Sequence, residues 1–124
     1  MPAFATSISC MDGRIQEPLC SWIKKNHGVD YVDVITEPGV DKAMSRDAVS
    51  ASIRTKANIS VKAHGSKIII ISGHHDCAAN PASEEDHIKM IRDAVRVASS
   101  WNLGAEVAGA WVDESWSVTG VGSL

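Results

Sequence analysis

The sequence is poor in aromatic side chains and has no excess of positive charge. Phe, Tyr and Trp make up 5% of its 124 residues, and 12 basic residues face 15 acidic ones, for a formal net charge of −3. Proteins that bind nucleic acids normally present a basic surface, often with aromatic side chains that stack on bases. A glycine-rich phosphate-binding motif is also missing. The composition therefore gives no support to nucleic-acid binding.

Long apolar runs are absent as well. No stretch approaches the roughly 20 apolar residues that a membrane-spanning helix requires. The N-terminal stretch MPAFATSISC lacks the basic region followed by an apolar segment that a secretory signal contains. We expect a cytoplasmic protein that makes no membrane contact, and the length predicts a single domain over residues 1–124.

Cysteine is scarce and odd in number, with Cys10, Cys20 and Cys77. In a reducing compartment such residues are thiols or metal ligands rather than parts of a disulfide framework. Cys20 falls within a predicted helix, where a small buried side chain is the expected role. Cys10 and Cys77 are the candidates for metal binding.

Strand-like and helix-like segments alternate along the chain. Strands are predicted over residues 4–9, 31–35, 67–72 and 106–112, and the uninterrupted IIII of the third indicates a strand covered on both faces. Three helices are predicted between them: one with Pro18 near its start and Gly28 as its stop, one from Ser45 as N-cap to Gly65, and one from Ser83 through Ala98. This alternation predicts an α/β fold, a three-layer α/β/α arrangement with a mostly parallel central sheet of four to five strands. The closing SWSVTGVGSL, residues 115–124, either adds an edge strand or docks on a partner.

Polar residues cluster directly after two of the strands. CMDGR, residues 10–14, follows the first strand, and GHHDC, residues 73–77, follows the third. Open parallel sheets bind ligands beyond the carboxyl ends of their strands, so Cys10, His74 and Cys77 converge if those two strands are neighbours. Two thiolates and one imidazole suit Zn²⁺ and leave a fourth tetrahedral position for water or substrate.

Asp12 and Arg14 lie in the first of these motifs. Asp12 offers a fourth ligand that would close the zinc site, but Arg14 offers the same carboxylate a bidentate partner that would hold it off the metal. Held in this way, Asp12 would accept a hydrogen bond from the oxygen on zinc. A structural ion pair at the start of a helix is the alternative, and it stays open at this point.

Together these motifs resemble a known family. Cys-x-Asp-x-Arg after the first strand and Gly-His-x-x-Cys after a later one are similar to the zinc motifs of β-class carbonic anhydrases, and VAGAWVDESWSVTG, residues 107–120, resembles that family's terminal strand pair. The resemblance implies a carbonic-anhydrase-type zinc lyase that hydrates CO₂ reversibly to bicarbonate by a metal-bound hydroxide. It also implies one zinc per chain on Cys10, His74 and Cys77, Asp12 and Arg14 as the catalytic dyad, and a homodimer or higher homo-oligomer.

The chain departs from that family's pattern in the pocket region. EPGV, residues 37–40, stands where the family commonly carries Asn-Ala-Gly-Asn, and Ala78 replaces the glycine that usually follows the second zinc cysteine. The helical arm that wraps a neighbouring subunit in typical members is not expected here. Two other hypotheses therefore remain. One is a hydrolase of carbonyl sulfide or carbon disulfide on the same zinc site. The other is a non-catalytic zinc scaffold or bicarbonate sensor whose zinc site is closed by Asp12.

The remaining histidines are assigned more modest roles. His75 is the titratable group nearest to the predicted site and is either a proton carrier or a surface histidine. His27 and His64 fall at predicted helix C-termini, where the helix dipole favours a cation. His87 is predicted on the solvated face of the third helix. Glu37 is a turn residue or a polar group near the metal.

Overall fold

The structure, a computed structural model, describes residues 1–122. Its strands are β1 (Phe4–Ser9), β2 (Tyr31–Thr36), β3 (Ile68–His74), β4 (Glu106–Val112) and β5 (Val118–Val121). Its helices are α1 (Gly13–His27), α2 (Val40–Ala43), α3 (Asp47–His64) and α4 (Glu84–Ser99). Among these described residues, no helix combines the length and apolar character needed to cross a bilayer.

The five strands form one sheet in the order β2-β1-β3-β4-β5, in which β5 runs antiparallel to β4 and all other pairs are parallel. One face packs against α1 through a cluster that includes Ile15, Leu19 and Ile70. The other face packs against α2, α3 and α4 through a second cluster, which includes Ile69 and Ile91. The predicted α/β class is confirmed, and the first and third strands are neighbours, which is the condition for the two polar motifs to converge.

The third strand is buried along its whole length, as its unbroken apolar run predicted. β3 extends two residues beyond the predicted end and takes in Gly73 and His74. This extension places His74 in the sheet rather than in the loop that follows it. Of the closing segment, Val118–Val121 forms the edge strand β5, whereas Ser123 and Leu124 lie outside the described residues.

Two helix starts differ from the prediction. α1 begins at Gly13, with the Asp12 side chain as its N-cap, so Pro18 falls inside the helix rather than near its start. The residue before α3 is Arg46 rather than Ser45. The sequence did not predict the helix α2, which ends at Ala43 with Met44 as its C-cap. Ser45 belongs to the end of α2, because its Oγ donates to the Lys42 carbonyl at 2.9 Å. The predicted cap Ser83 and the predicted stops Gly28 and Gly65 are confirmed.

Candidate metal centre

Three potential metal ligands meet at the carboxyl ends of β1 and β3. Cys10 directly follows β1, His74 ends β3, and Cys77 lies in the turn that follows. Because β1 and β3 are hydrogen-bonded neighbours with Ile8 opposite Ile71, the two segments leave the sheet side by side. The ligand atoms of the three residues all lie within 4.8 Å of one another, and all three residues are buried.

The two sulfur atoms are spaced as a tetrahedral metal requires. Cys10 Sγ and Cys77 Sγ are 4.0 Å apart, and both cysteines are free. Two Zn–S bonds of about 2.3 Å at a tetrahedral angle would separate the sulfur atoms by roughly 3.8 Å. The pair therefore fits one bound zinc ion with little adjustment.

The imidazole of His74 presents the correct nitrogen. Its Nδ1 lies 2.8 Å from the backbone carbonyl oxygen of His75. Because a carbonyl oxygen only accepts hydrogen bonds, Nδ1 carries the proton and Nε2 carries the lone pair. Nε2 is buried and has no hydrogen-bond partner among the described residues. A buried nitrogen without a partner is unfavourable, and a metal ion bound between the two sulfurs would complete its environment.

Backbone groups lie beside both cysteines. Gly39 N–H donates to Cys10 Sγ at 3.5 Å, and Asn80 N–H donates to the Cys77 carbonyl at 3.3 Å. Burial raises the pKa of the Cys77 thiol, and the nearby Cys10 raises it further, whereas the backbone of Ala79 and Asn80 lowers it. Coordination by a divalent metal deprotonates such a thiol outright, so this backbone would then stabilise a thiolate.

Asp12 is engaged by Arg14 and stands apart from the three ligands. Arg14 Nε donates to Asp12 Oδ1 at 3.1 Å and Arg14 Nη2 donates to Asp12 Oδ2 at 2.7 Å. Asp12 Oδ1 also accepts the Arg14 backbone N–H at 2.9 Å. These bonds lower the pKa of Asp12 to about 2, so it is a carboxylate at neutral pH. Within residues 1–122, the metal-ligand cluster comprises Cys10, His74 and Cys77 and does not include Asp12.

Arg14 is itself fixed by two further residues that the sequence analysis did not single out. Its Nη1 pairs with Asp76 Oδ2 at 3.2 Å, and its Nη2 donates to the Asp76 carbonyl at 3.2 Å. Its guanidinium lies over the ring of Trp116, 4.6 Å from the centroid. The hydrogen bonds that Arg14 donates to the carboxylates of Asp12 and Asp76 raise the pKa of its guanidinium. Asp76 lies inside the GHHDC motif, which is the only sequence signal that pointed to it.

Among the described residues, the cluster does not include His75, Glu37 or Cys20. The His75 side chain is exposed, and its backbone N–H donates to the Val112 carbonyl at 2.8 Å. Glu37 is half-buried, and its N–H donates to the Ser9 carbonyl at 3.0 Å. Cys20 is half-buried on α1, where burial raises the pKa of its thiol. The roles predicted for His75 and Glu37 stay predictions.

The predicted exposure of His87 is wrong. Its side chain is 1% exposed and pairs with the equally buried Asp41, 46 residues away in the chain. The helical spacing of His87, Ile91 and Ala98, all buried on α4, was the signal that marked the inward face. Asp41 lies on α2, which the sequence analysis did not predict.

Comparison with known proteins gives one family and a consistent set of folds. A family model described as "Putative carbonic anhydrase" matches residues 1–122. No curated protein shows a significant match. A β-carbonic anhydrase isoform I from Trichomonas vaginalis has a similar structure, with a TM-score of 0.62, 19% identity and coverage of 94% of this chain and 81% of that chain.

Two fungal structures are similar as well. One of two tetrameric β-carbonic anhydrases from Sordaria macrospora gives a TM-score of 0.61 at 16% identity, covering 98% of this chain and 81% of that one. The β-carbonic anhydrase of Aspergillus fumigatus gives a TM-score of 0.53 at 14% identity, covering 96% of this chain and 74% of that one. At these identities the three structures show a shared fold.

Proposed function

Because the chain belongs to this carbonic anhydrase family, we propose that it is a zinc lyase that hydrates CO₂ reversibly to bicarbonate. The observation that carries the proposal is the buried cluster of Cys10, His74 and Cys77, whose ligand atoms lie within 4.8 Å of one another beside a carboxylate that is held apart from them. A structural zinc site is normally closed by four side chains, whereas three leave a position for chemistry.

The proposed cofactor is one zinc ion per chain, held by Cys10 Sγ, Cys77 Sγ and His74 Nε2. The buried Nε2 and the sulfur spacing of 4.0 Å fit such an ion. Zinc would supply a Lewis acid that lowers the pKa of a water molecule, to about 7 in the three-histidine carbonic anhydrase site. The thiolate pair donates more charge than imidazoles do, so we expect a higher value here.

Asp12 and Arg14 are proposed as the catalytic dyad. Asp12 Oδ2 accepts one hydrogen bond, from Arg14 Nη2, and therefore keeps a lone pair for a second donor. Arg14 keeps this carboxylate ionised and fixed. Asp12 can therefore accept a hydrogen bond from a donor group and orient that group toward CO₂. Closure of the site by Asp12 is disfavoured, because both carboxylate oxygens already bind the guanidinium.

Each hydration cycle also releases a proton to solvent. His75 is exposed and directly follows the ligand His74, so it is the proposed carrier of that proton. An exposed imidazole can take up a proton and pass it to buffer.

We also propose a homodimer or higher homo-oligomer. The structurally similar β-carbonic anhydrase from Sordaria macrospora is tetrameric. In this chain β2 lies at an edge of the sheet, and Tyr31 and Val34 on it are 54% and 45% exposed. Ile59 on the neighbouring α3 is 60% exposed. An apolar, unpaired edge strand is a ready surface for a second copy.

Val34→Lys tests this surface, because a charge on an edge strand opposes pairing. We expect the variant to be smaller than the wild type by light scattering after size-exclusion chromatography. Thr119→Lys, on the exposed face of the opposite edge strand β5, is the matched control and should leave the mass unchanged. A wild-type protein that is monomeric at every concentration would contradict the oligomer.

The function itself is tested by stopped-flow CO₂ hydration across pH on protein whose zinc content has been measured. Turnover should require zinc, rise with pH and disappear in Cys77→Ser. Zinc at one ion per chain without CO₂ turnover at any pH would contradict the proposal. Release of H₂S from carbonyl sulfide, faster than CO₂ hydration, would instead identify the sulfur-substrate hydrolase.

A further inference from the structure

A second carboxylate is buried behind the metal cluster, and the proposed mechanism does not use it. The side chains of Asp41 and His87 are 2% and 1% exposed, and His87 Nδ1 hydrogen bonds to Asp41 Oδ2. Asp41 Oδ1 accepts from Asn80 Nδ2 at 3.0 Å and from the Lys42 backbone N–H at 3.1 Å. A carboxylate this deeply buried is unfavourable unless it is fully hydrogen-bonded, and here both of its oxygens have partners.

These hydrogen bonds join three separate parts of the chain. Asp41 lies on α2, directly after the EPGV loop, Asn80 lies in the turn after Cys77, and His87 lies on α4. The helix α4 packs against β3 and β4 and gives the pair a firm support. Asp41 therefore ties the two loops beside the cysteines to the body of the fold.

The same two loops lie against the two cysteines. The EPGV loop contributes Gly39 N–H, which donates to Cys10 Sγ at 3.5 Å. In the turn after Cys77, the Asn80 backbone N–H donates to the Cys77 carbonyl at 3.3 Å and closes the turn that carries the thiol. The loops also touch each other, since a Cβ on Gly39 would lie 3.1 Å from Asn80 Cβ. A shift of either loop would therefore disturb both the amide on Cys10 Sγ and the turn that carries Cys77.

Asp41 also packs against the strand that ends in the imidazole ligand. A Cβ on Gly73, the residue before His74, would lie only 2.5 Å from Asp41 Oδ2. The glycine of the GHHDC motif is thus the residue that lets the buried carboxylate approach β3. Asp41 is therefore linked to each proposed ligand by neighbouring residues: to Cys10 through Gly39, to Cys77 through Asn80 and to His74 through Gly73.

We propose that Asp41, supported by His87 and Asn80, is a positioning residue of the metal centre, which fixes the Gly39 amide that faces Cys10 and the turn that carries Cys77. The inference rests on the proposed function, because it concerns the ligands of the proposed zinc site. Partners behind the ligands orient them and tune the metal, and losing such a partner typically lowers metal affinity by about 10- to 100-fold. Asp41 acts on the cysteines through these two loops.

The test compares zinc affinity in folded variants, by competition with a chromophoric chelator. Asp41→Asn and His87→Leu should each bind zinc about 10- to 100-fold more weakly than the wild type. His87→Asn retains an N–H donor near the position of Nδ1 and should recover part of that affinity. In cobalt-loaded protein, the sulfur-to-metal charge-transfer band should shift in Asp41→Asn and His87→Leu.

Ser60→Ala is the matched control for a loss of stability alone. Ser60 is a buried, hydrogen-bonded residue on α3, with Thr6 Oγ1 at 2.6 Å and Asp33 Oδ2 at 2.7 Å as its partners. The control should unfold more easily yet keep the wild-type zinc affinity and cobalt spectrum. Wild-type affinity and spectrum in whichever of the Asp41 and His87 variants folds would overturn the inference while leaving the function intact. A wild type that binds no zinc would overturn both.

Discussion

Two hydrogen-bonded pairs, each made of a carboxylate and a nitrogen-bearing side chain, lie beside the same metal cluster, and they differ most in their access to water. In the Asp12–Arg14 pair the side chains are 18% and 48% exposed, whereas in the Asp41–His87 pair they are 2% and 1% exposed. Asp12 lies between β1 and α1, and Asp41 lies on α2 after β2. The exposed pair can meet a substrate, while the buried pair can act only through the backbone that surrounds it.

This difference in exposure also determines how much each pair contributes to the free energy of unfolding. An exposed ion pair contributes little to the free energy of unfolding, because water already solvates both charges. A buried pair leaves an unsatisfied polar group when one partner is removed, and that group has no water to replace the bond. We therefore expect the first pair to matter for turnover and the second for stability and zinc binding.

The largest expected effect is on turnover, in Asp12→Asn. The amide cannot accept both guanidinium bonds and carries no charge, so CO₂ hydration should fall by roughly 10²- to 10⁴-fold. The zinc content should stay at the wild-type level, because Asp12 is not part of the ligand cluster. Loss of zinc together with turnover, measured by metal analysis and stopped flow, would show instead that Asp12 is a ligand.

The next effect is on stability, in Asp41→Ala. Removing this buried partner should lower the free energy of unfolding by about 1–3 kcal/mol, since the buried donors of His87 and Asn80 lose their acceptor. Arg14→Ala, the corresponding change in the exposed pair, should leave urea unfolding of metal-free protein nearly unchanged. Equal midpoint shifts in the two variants would remove the distinction between the pairs.

A smaller effect is expected from Trp116→Leu. The Trp116 ring supports the Arg14 guanidinium from 4.6 Å, and an exposed cation–π contact is worth about 0.5–1 kcal/mol. Turnover should therefore fall only a few-fold, with zinc retained, because the carboxylate bonds to Arg14 persist. Trp22→Leu, which removes a half-buried tryptophan on α1, serves as the control. A loss as large as that of Asp12→Asn would mean that Trp116 contacts the substrate itself.

The metal-ligand candidates could be predicted from the sequence because Cys10 and His74 lie at or directly after strongly patterned strands, and open parallel sheets bind ligands at the carboxyl ends of strands. That β1 and β3 are neighbours was a condition of this prediction, which the structure supplies. Gly28 and Ser83 could also be predicted, since each acts within one turn of its own helix. Local chemistry determines these two features, so the sequence is sufficient to predict them.

The partners of the two carboxylates could not be predicted from the sequence in this way. Arg14 and Asp76 are 62 residues apart, and Asp41 and His87 are 46 residues apart. No local pattern links such positions, and α2 is too short to leave a periodic signal. His87 was predicted to be solvated because histidine is a polar residue type, although its spacing from Ile91 matched the buried face of α4.

The most direct measurement is CO₂ hydration per bound zinc at saturating metal, in the wild type, Asp12→Asn and the control Ser60→Ala. We expect zinc-dependent turnover in the wild type and in Ser60→Ala, and its loss in Asp12→Asn at equal zinc content. Zinc-loaded wild type without CO₂ turnover, or Asp12→Asn with wild-type turnover, would contradict the proposed zinc lyase and its dyad.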